Sequence, residues 1–334
     1  MKVEDFDYQL PEELIAQYPT QPRHNARLMV LNRKDESKKH DTFWNLPLYL
    51  KRGDLLVFNN SKVLPARLYG RKPTGGRVEV LLTDFLSKEE WYALMGGKGI
   101  REGLRIEIAQ DFWVEVLEHV EGGKFRVRLL SSEPLKAIDK YGKIPIPPYL
   151  KREEEPVDRV YYQTVFAQVE GSVASPTASL HFSEELLRRI EEYGIKKAFI
   201  TLHVSYGTFK PVKVQEVELH KVDPEYVNVP EETIKLIEET KRAGGRVVAV
   251  GTTVVRALET AGFRPFEGWT ELYIYPNYTF KVVDALITNF HLPKSSLLFL
   301  VCAFGGKDYI MRAYAEAVKE RYRFYSYGDG MLIL

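Results

Sequence analysis

The chain has 334 residues, more than a single hydrophobic core usually serves, so two domains are expected. Hydrophobic residues at 45% and charged residues at 28% describe an ordinary globular protein, and 47 Lys and Arg against 46 Asp and Glu leave a net charge of +1, which excludes a global electrostatic hold on nucleic acid and demands a local basic patch instead. One cysteine, Cys302, excludes a disulfide or thiolate–zinc framework; with no apolar signal core at the start and no run near the ~20 apolar residues of a membrane helix, a cytoplasmic protein is expected.

Residues 6–18 carry Leu10, Leu14 and Ile15 at helical spacing, with Pro11 suited to a first turn, which predicts a helix. Residues 28–31 read as a strand, 46–50 as a short helix, and 55–58 as an apolar strand that runs into the polar string N-N-S-K. Between 67 and 130 the texture changes. Short β-type runs at 78–82, 91–95, 105–108, 112–117 and 125–130 follow one another across Gly-Gly and Gln-Asp turns, the pattern of a small antiparallel barrel or sandwich. A helix over 135–141 and a proline-rich extended stretch over 144–150 lead out of it.

Beyond the acidic residues 153–155, strands and helices alternate. Helices are predicted over 183–193, capped by Ser183, and over 231–243, 254–261 and 308–322; strands over 198–204 and 247–250; and a β pair over 271–275 and 278–283. The apolar run 285–287 reads as a buried strand, whereas 297–304 fits a helix or a strand. Such alternation predicts an α/β fold with a mostly parallel sheet flanked by helices. One apolar strand precedes the β-rich stretch and the others follow it. The expected organisation is therefore a discontinuous α/β domain of residues 1–64 and 149–334, interrupted by an inserted small antiparallel β-barrel of residues 65–148.

Ligands of open α/β sheets bind outside the carboxyl ends of the strands. Four strands here end in polar clusters: Asn59 to Lys62, His203 to Thr208, Gly251-Thr252-Thr253, and Asn289 to Ser296. In the last of these, His291 and Lys294 stand just before a possible helix start that Ser295 or Ser296 can cap, and unpaired N–H groups there attract an anion. A plain loop with one satisfied histidine and a solvated lysine would read the same in isolation. A second unusual segment, G-S-V-A-S-P-T-A-S-L-H-F-S over 171–183, is bare enough for backbone to approach a ligand, with Thr177, Ser179 and His181 able to hydrogen-bond to it. His203 lies near the end of an otherwise apolar strand, followed by Gly207-Thr208. There is no G-x-G-x-x-G, Walker lysine, H-E-x-x-H, C-x-x-C or G-x-S-x-G, and the histidines are too dispersed to form a metal set, so no metal is expected. Arg67, Arg71, Lys72 and Arg77, with Tyr69 among them, form a basic cluster at the entrance to the β-rich region, either a solvated face or a grip on a phosphate backbone.

Several long strings resemble the S-adenosylmethionine:tRNA ribosyltransferase-isomerase (QueA) family of queuosine biosynthesis. They include F-D-Y-Q-L-P-E-E-L-I-A-Q-Y-P, G-D-L-L-V-F-N-N-S-K-V-L-P-A-R-L-Y-G, P-T-A-S-L-H-F-S, T-L-H-V-S-Y-G-T-F-K-P-V, V-V-A-V-G-T-T-V-V-R-A-L-E and D-A-L-I-T-N-F-H-L-P-K-S-S-L, and they run nearly end to end. Ser175 and Ser179 depart from an expected Ala and Gly, and Ser183 from an expected Thr. The resemblance implies an α/β domain with an inserted barrel. It also implies transfer and isomerisation of the ribosyl group of S-adenosylmethionine onto the aminomethyl-deazaguanine base (preQ1) at the wobble position of tRNA, giving epoxyqueuosine-tRNA, adenine and methionine, by a protein working as a monomer. That chemistry needs a base beside the sulfonium and an acid to help adenine leave, and imidazoles suit both. On this footing His181, His203 and His291 form the expected proton-transfer pool, with Asp284 or Asp329 stabilising the sulfonium. Thr177, Ser179, Gly207, Thr208, Gly251, Thr252, Thr253, Asn289, Lys294 and Ser295 would line the cofactor, Lys294 holding the methionine carboxylate, and Arg67, Arg71, Lys72 and Arg77 would hold tRNA. A conventional S-adenosylmethionine-dependent RNA methyltransferase should show a glycine-rich first turn that is missing here. A non-catalytic RNA-binding protein would not need the polar strand ends.

Overall fold

The computed structural model describes all 334 residues, Met1–Leu334. Its strands in chain order are β1 (Arg27–Asn32), β2 (Ser37–Thr42), β3 (Leu55–Asn59), β4 (Ser61–Val63), β5 (Arg67–Arg71), β6 (Arg77–Phe85), β7 (Glu90–Gly96), β8 (Arg105–Ala109), β9 (Phe112–Glu121), β10 (Lys124–Leu130), β11 (Val169–Ser172), β12 (Lys196–Leu202), β13 (Glu225–Val229), β14 (Val247–Val250), β15 (Phe266–Thr270), β16 (Ala285–Asn289) and β17 (Gly330–Ile333). The helices are α1 (Pro134–Tyr141), α2 (Pro156–Tyr161), α3 (Glu184–Glu192), α4 (Glu231–Arg242), α5 (Thr252–Ala261), α6 (Ser296–Gly305) and α7 (Lys307–Lys319).

Nine strands form one sheet in the order β15-β13-β12-β3-β14-β16-β17-β1-β2. Its centre, β12-β3-β14-β16, is parallel as expected; antiparallel pairs β12–β13, β13–β15, β16–β17 and β1–β2 make the whole sheet mixed. The central strands are apolar throughout because both faces are covered. Within β3, Leu55 and Val57 join the larger core packed by α4 to α7, while Leu56 and Phe58 join the core beneath α3 and the 3-10 segment Phe43–Tyr49. Strands β5 to β10 close into a six-stranded antiparallel barrel around its own core, with Trp91, Phe112 and Val127 fully buried. The fold is thus an α/β sheet carrying an inserted barrel, as the pattern of short strands inside an α/β alternation predicts.

Some local expectations fail for identifiable reasons. The predicted helix over 6–18 is two 3-10 turns, Val3–Phe6 and Glu12–Leu14, because Pro11 and its neighbours hold extended backbone between them. No β pair forms at 271–275 and 278–283; the edge strand lies one step earlier, at Phe266–Thr270, where it pairs with β13. The run 297–304 is helical, and Ser295 is its cap, accepting from Leu298 N–H at 3.3 Å while donating to the Leu292 carbonyl at 2.8 Å.

Candidate active site

The principal cleft, about 880 Å3, opens at the carboxyl ends of β14 and β16. Four stretches build its walls. After β14 the chain turns through Gly251 at φ 104°, a value that only glycine adopts without strain, and Thr252 and Thr253 open α5 against the cleft. After β16 come Asn289, Phe290 and His291, and then Ser295 and Leu297 at the start of α6. The segment from Ala174 to Ala178 forms a third wall. The fourth follows from the antiparallel direction of β17, whose first residue, Gly330, pairs with Asn289 at the end of β16. Tyr325 and Ser326, which precede it, therefore arrive at the same sheet edge and line the cleft.

Asn289 is buried, and its side-chain amide is engaged at both ends. Its amide nitrogen donates to the carbonyls of Tyr325 (2.9 Å) and Ser326 (3.2 Å), so its oxygen accepts from His181 Nε2 at 2.8 Å. His181 stands behind Asn289, stacked on Phe43 at 4.1 Å, and burial lowers its imidazole to about 4. His291 is the one histidine in the cleft wall. The Thr288 hydroxyl lies 2.7 Å from His291 Nε2 and 3.2 Å from the Asn289 carbonyl, so Nε2 is the ring nitrogen engaged by the protein. Burial lowers this imidazole to about 3, so it is neutral at pH 7.

Aromatic rings from three stretches pack together in the wall of the cleft. Tyr149 and Tyr325 have centroids 4.7 Å apart, Phe209 lies 6.1 Å from Tyr149, and the Tyr149 hydroxyl bonds Ser326 Oγ. Three polar atoms of wall residues have no partner: Tyr162 OH, Ser175 Oγ and Arg256 Nη2. Buried unpartnered donors cost stability and are expected where a ligand completes the bonding.

The sequence profile of the family described as queuosine biosynthesis protein matches residues 3–333. The chain belongs to that family. It is 75% identical over 334 residues to the S-adenosylmethionine:tRNA ribosyltransferase-isomerase of Aquifex aeolicus (strain VF5), covering all of both chains. A relative of the same name from Hydrogenobaculum sp. (strain Y04AAS1) is 58% identical over 344 residues, again with full coverage of both. A crystal structure of S-adenosylmethionine tRNA ribosyltransferase from Thermotoga maritima is similar over 99% of this chain and 100% of that one, with 39% identity and a TM-score of 0.57.

In this family member the expected site residues divide sharply. Thr177, Thr208, Gly251, Thr252, Thr253, Asn289, His291 and Ser295 all line the principal cleft. Gly207 belongs instead to a neighbouring cleft of about 620 Å3, which Thr208 also borders. Ser179 is buried behind the wall with an unpartnered hydroxyl. His203 lies elsewhere, at the junction of sheet and barrel, between Phe85 of β6 (4.9 Å) and Tyr226 of β13 (5.4 Å, stacked). Its ring rests on Gly171, where a Cβ would come within 2.6 Å of it, and burial lowers it to about 4.

Two expected roles are corrected by position. Asp284 precedes the first residue of β16, at the edge of the sheet opposite the cleft, roughly 16 Å from Asn289 at the rise of an extended strand. There it pairs with Lys241 at 2.8 Å and accepts from Val247 N–H at 2.8 Å, fixing the starts of two strands. Asp329 is likewise structural, buried and accepting from the backbone N–H groups of Arg27 and Arg323 at 2.7 Å each. Lys294 has a left-handed backbone (φ 57°), and its side chain, 41% exposed, reaches Glu4 at 3.7 Å rather than the cleft. The residues missed from sequence are chiefly Tyr149, Tyr162, Glu225, Arg256 and Tyr325, which come from a linker, an unrecognised strand, a helix interior and the tail. Only Arg256 carried a signal: a charged residue in the apolar string V-V-R-A-L.

On the barrel, Arg71 and Arg77 are exposed and Lys72 is partly so, at the β5–β6 hairpin with exposed Tyr69. Arg67 is occupied by Glu79. No helix is long and apolar enough to cross a membrane, and no group of three His, Cys, Asp or Glu side chains stands together to hold a metal ion.

Proposed function

We propose that this chain is an S-adenosylmethionine:tRNA ribosyltransferase-isomerase, which moves the ribosyl group of S-adenosylmethionine onto the aminomethyl-deazaguanine base of the tRNA wobble position and releases adenine and methionine. The observation that carries the reading is the end-to-end match to relatives of that name. The principal cleft supports it chemically: aromatic faces for a purine, threonine hydroxyls at a helix start, and one imidazole.

Of the histidine pool, we assign the base to His291. A proton must leave the carbon beside a sulfonium, and His291 is the one imidazole in the wall of the cleft that could accept it. His181 acts through Asn289 as a positioning residue, fixing the amide that shapes the cleft beside His291. His203 has no part in proton transfer on this assignment, because it lies outside the cleft.

tRNA docking is assigned to Arg71, Lys72 and Arg77. They lie at the end of β6 remote from Phe85, nine residues or roughly 27 Å along the strand, so the barrel would hold an RNA arm while the sheet edge receives the base. The division into residues 1–64 with 149–334 and residues 65–148 follows the same logic, the barrel being a docking module inserted in the catalytic domain. Monomeric action in the cytoplasm, with no metal, completes the reading. Product analysis with S-adenosylmethionine and tRNA carrying the deazaguanine base tests it: free adenine plus methionine is expected, whereas S-adenosylhomocysteine or no turnover would sink it. Exchanging Arg71 and Lys72 for Glu should raise the tRNA KM and flatten its salt dependence; unchanged values would remove the hairpin from docking.

A further inference from the structure

Arg256 and Glu225 form a buried ion pair on the partition between the principal cleft and its 620 Å3 neighbour, and both residues line both clefts. Arg256 is only 9% exposed and Glu225 5%. The guanidinium is incompletely used: Nη1 meets Glu225, Nε donates to the Leu272 carbonyl at 3.1 Å, and Nη2 has no partner. Glu225 is committed at both oxygens, with Ser205 N–H at 2.9 Å on the second. The pair therefore leaves one buried donor, Nη2, without a partner on a residue that lines both clefts, and the guanidinium's charge is balanced by Glu225.

A second observation points to the same place. The ten-residue helix α6 begins at Ser296, and Leu297, like Arg256, lines both clefts. Ser295 Oγ caps the Leu298 N–H, so the amides of Ser296 and Leu297 are the ones left without a carbonyl inside the helix. A helix start and an incompletely bonded guanidinium on one partition make a receptor for a planar anion. Phosphate fits poorly beside Glu225, whereas a carboxylate carries a single charge and the planar two-oxygen face that a guanidinium matches.

We propose that S-adenosylmethionine spans the two clefts, its adenosyl half in the principal one and its amino-acid half in the second, with the α-carboxylate bound by Arg256 and the start of α6. Arg256 lies one helical turn beyond Thr252 on the same face of α5, so that helix runs alongside the ligand from the adenosyl end to the carboxylate. The second cleft also offers Asp223, whose carboxylate is paired with Lys210 at 2.8 Å and can accept from the α-ammonium. This assignment rests on the proposed use of S-adenosylmethionine, and it takes over the role that Lys294, turned toward Glu4, does not fill.

Equilibrium binding of two ligands to the full chain tests it: S-adenosylmethionine, and 5′-methylthioadenosine, which lacks the amino-acid group. Arg256→Gln should weaken S-adenosylmethionine binding by about 10- to 100-fold, the range for losing a charge-assisted bond, and leave methylthioadenosine binding within about twofold. Retained methylthioadenosine binding also reports that the cleft is folded. Should Arg256→Gln unfold the protein by stranding Glu225, the double variant with Glu225→Gln removes the buried unpaired charge and should show the same selective loss. Equal weakening of both ligands, or unchanged S-adenosylmethionine affinity, overturns the carboxylate assignment. A wild-type protein that binds neither ligand would instead overturn the functional reading on which it rests.

Discussion

The polar clusters after β3 and after β16 look alike in sequence, N-N-S-K and N-F-H-L, yet the structure uses them in opposite ways. After β3, Asn59 is completely buried and fully bonded. Its oxygen accepts from Leu202 N–H (3.0 Å) and Ser61 N–H (3.1 Å), and its amide donates to the Leu202 carbonyl (2.9 Å) and to Thr253 Oγ1 (3.3 Å). It clamps β3 to β12 and to the first turn of α5, where the chain leaves the sheet for the barrel. After β16, Asn289 is likewise buried and bonded at both ends of its amide, but His291 is bonded through Nε2 alone and borders the open cleft. Neighbours decide the difference. Where the barrel is tethered, side-chain polarity is consumed in holding two domains together; where nothing sits over the sheet edge, it is left for a ligand.

The sharpest way to break this contrast is to exchange one histidine from each region. His291→Ala should lower kcat by about 10²- to 10⁴-fold, the usual scale for a lost acid–base group, with the melting transition nearly unchanged. His203→Phe, at the barrel junction, should leave kcat within about threefold. A steady-state assay in which both fall alike would end the distinction. Next in size, Asn59→Ala strands the backbone groups of Leu202 and Ser61 and should cost about 3 kcal/mol in a denaturant titration. Loss of activity without loss of stability would place Asn59 with the ligand after all.

A smaller effect separates the regions by pH. His181, His203 and His291 are lowered to about 4, 4 and 3 by burial, below the ~6.5 of an unfolded chain. The unfolded state then binds more protons, so the stability these neutral rings permit is complete above pH ~6.5 and is lost as pH falls toward 4. His203→Phe should flatten that decline by about 2 kcal/mol between pH 7 and pH 4, read from urea midpoints across the range. An unaltered slope would mean that His203 is protonated in the fold. Smallest of all, Lys294→Ala should change stability by less than about 0.5 kcal/mol and leave the S-adenosylmethionine KM alone, since its partner is an exposed Glu4. A several-fold rise in KM would return Lys294 to the cleft.

What the sequence disclosed follows from periodicity. The barrel was legible because β7, β9 and β10 alternate apolar and polar residues between glycine turns, and α3 because Ser183 caps it and accepts from Leu186 N–H at 3.1 Å. β2, S-K-K-H-D-T, was not, because as an edge strand it has no buried row to leave a pattern. β13 and β15 are short and placed next to loop-like aromatics, and the aromatic run that resembled a hairpin packs as irregular backbone instead. In the site, residues following an apolar strand were found because position on an α/β sheet predicts them. Tyr149 and Tyr325 were not, since they reach the cleft only through long-range packing, 176 residues apart in sequence yet in ring contact. Asp284 and Lys294 show the opposite failure: both lie near cleft-lining residues in sequence but are paired away from the cleft in space.

The placement of β17 bears on how the protein is made. It is the last strand in chain order, yet it lies inside the sheet, parallel to β1 and antiparallel to β16. Until residues 330–333 are available, the core holds a strand-wide gap flanked by two apolar edges, each able to recruit a foreign strand. Tyr325 and Ser326 are missing from the cleft over the same interval. Because β17 follows every other strand of the sheet in chain order, closure of the sheet and completion of the cleft wall both wait for it during synthesis. A chain stalled before it would be a client for chaperones rather than a partly active enzyme.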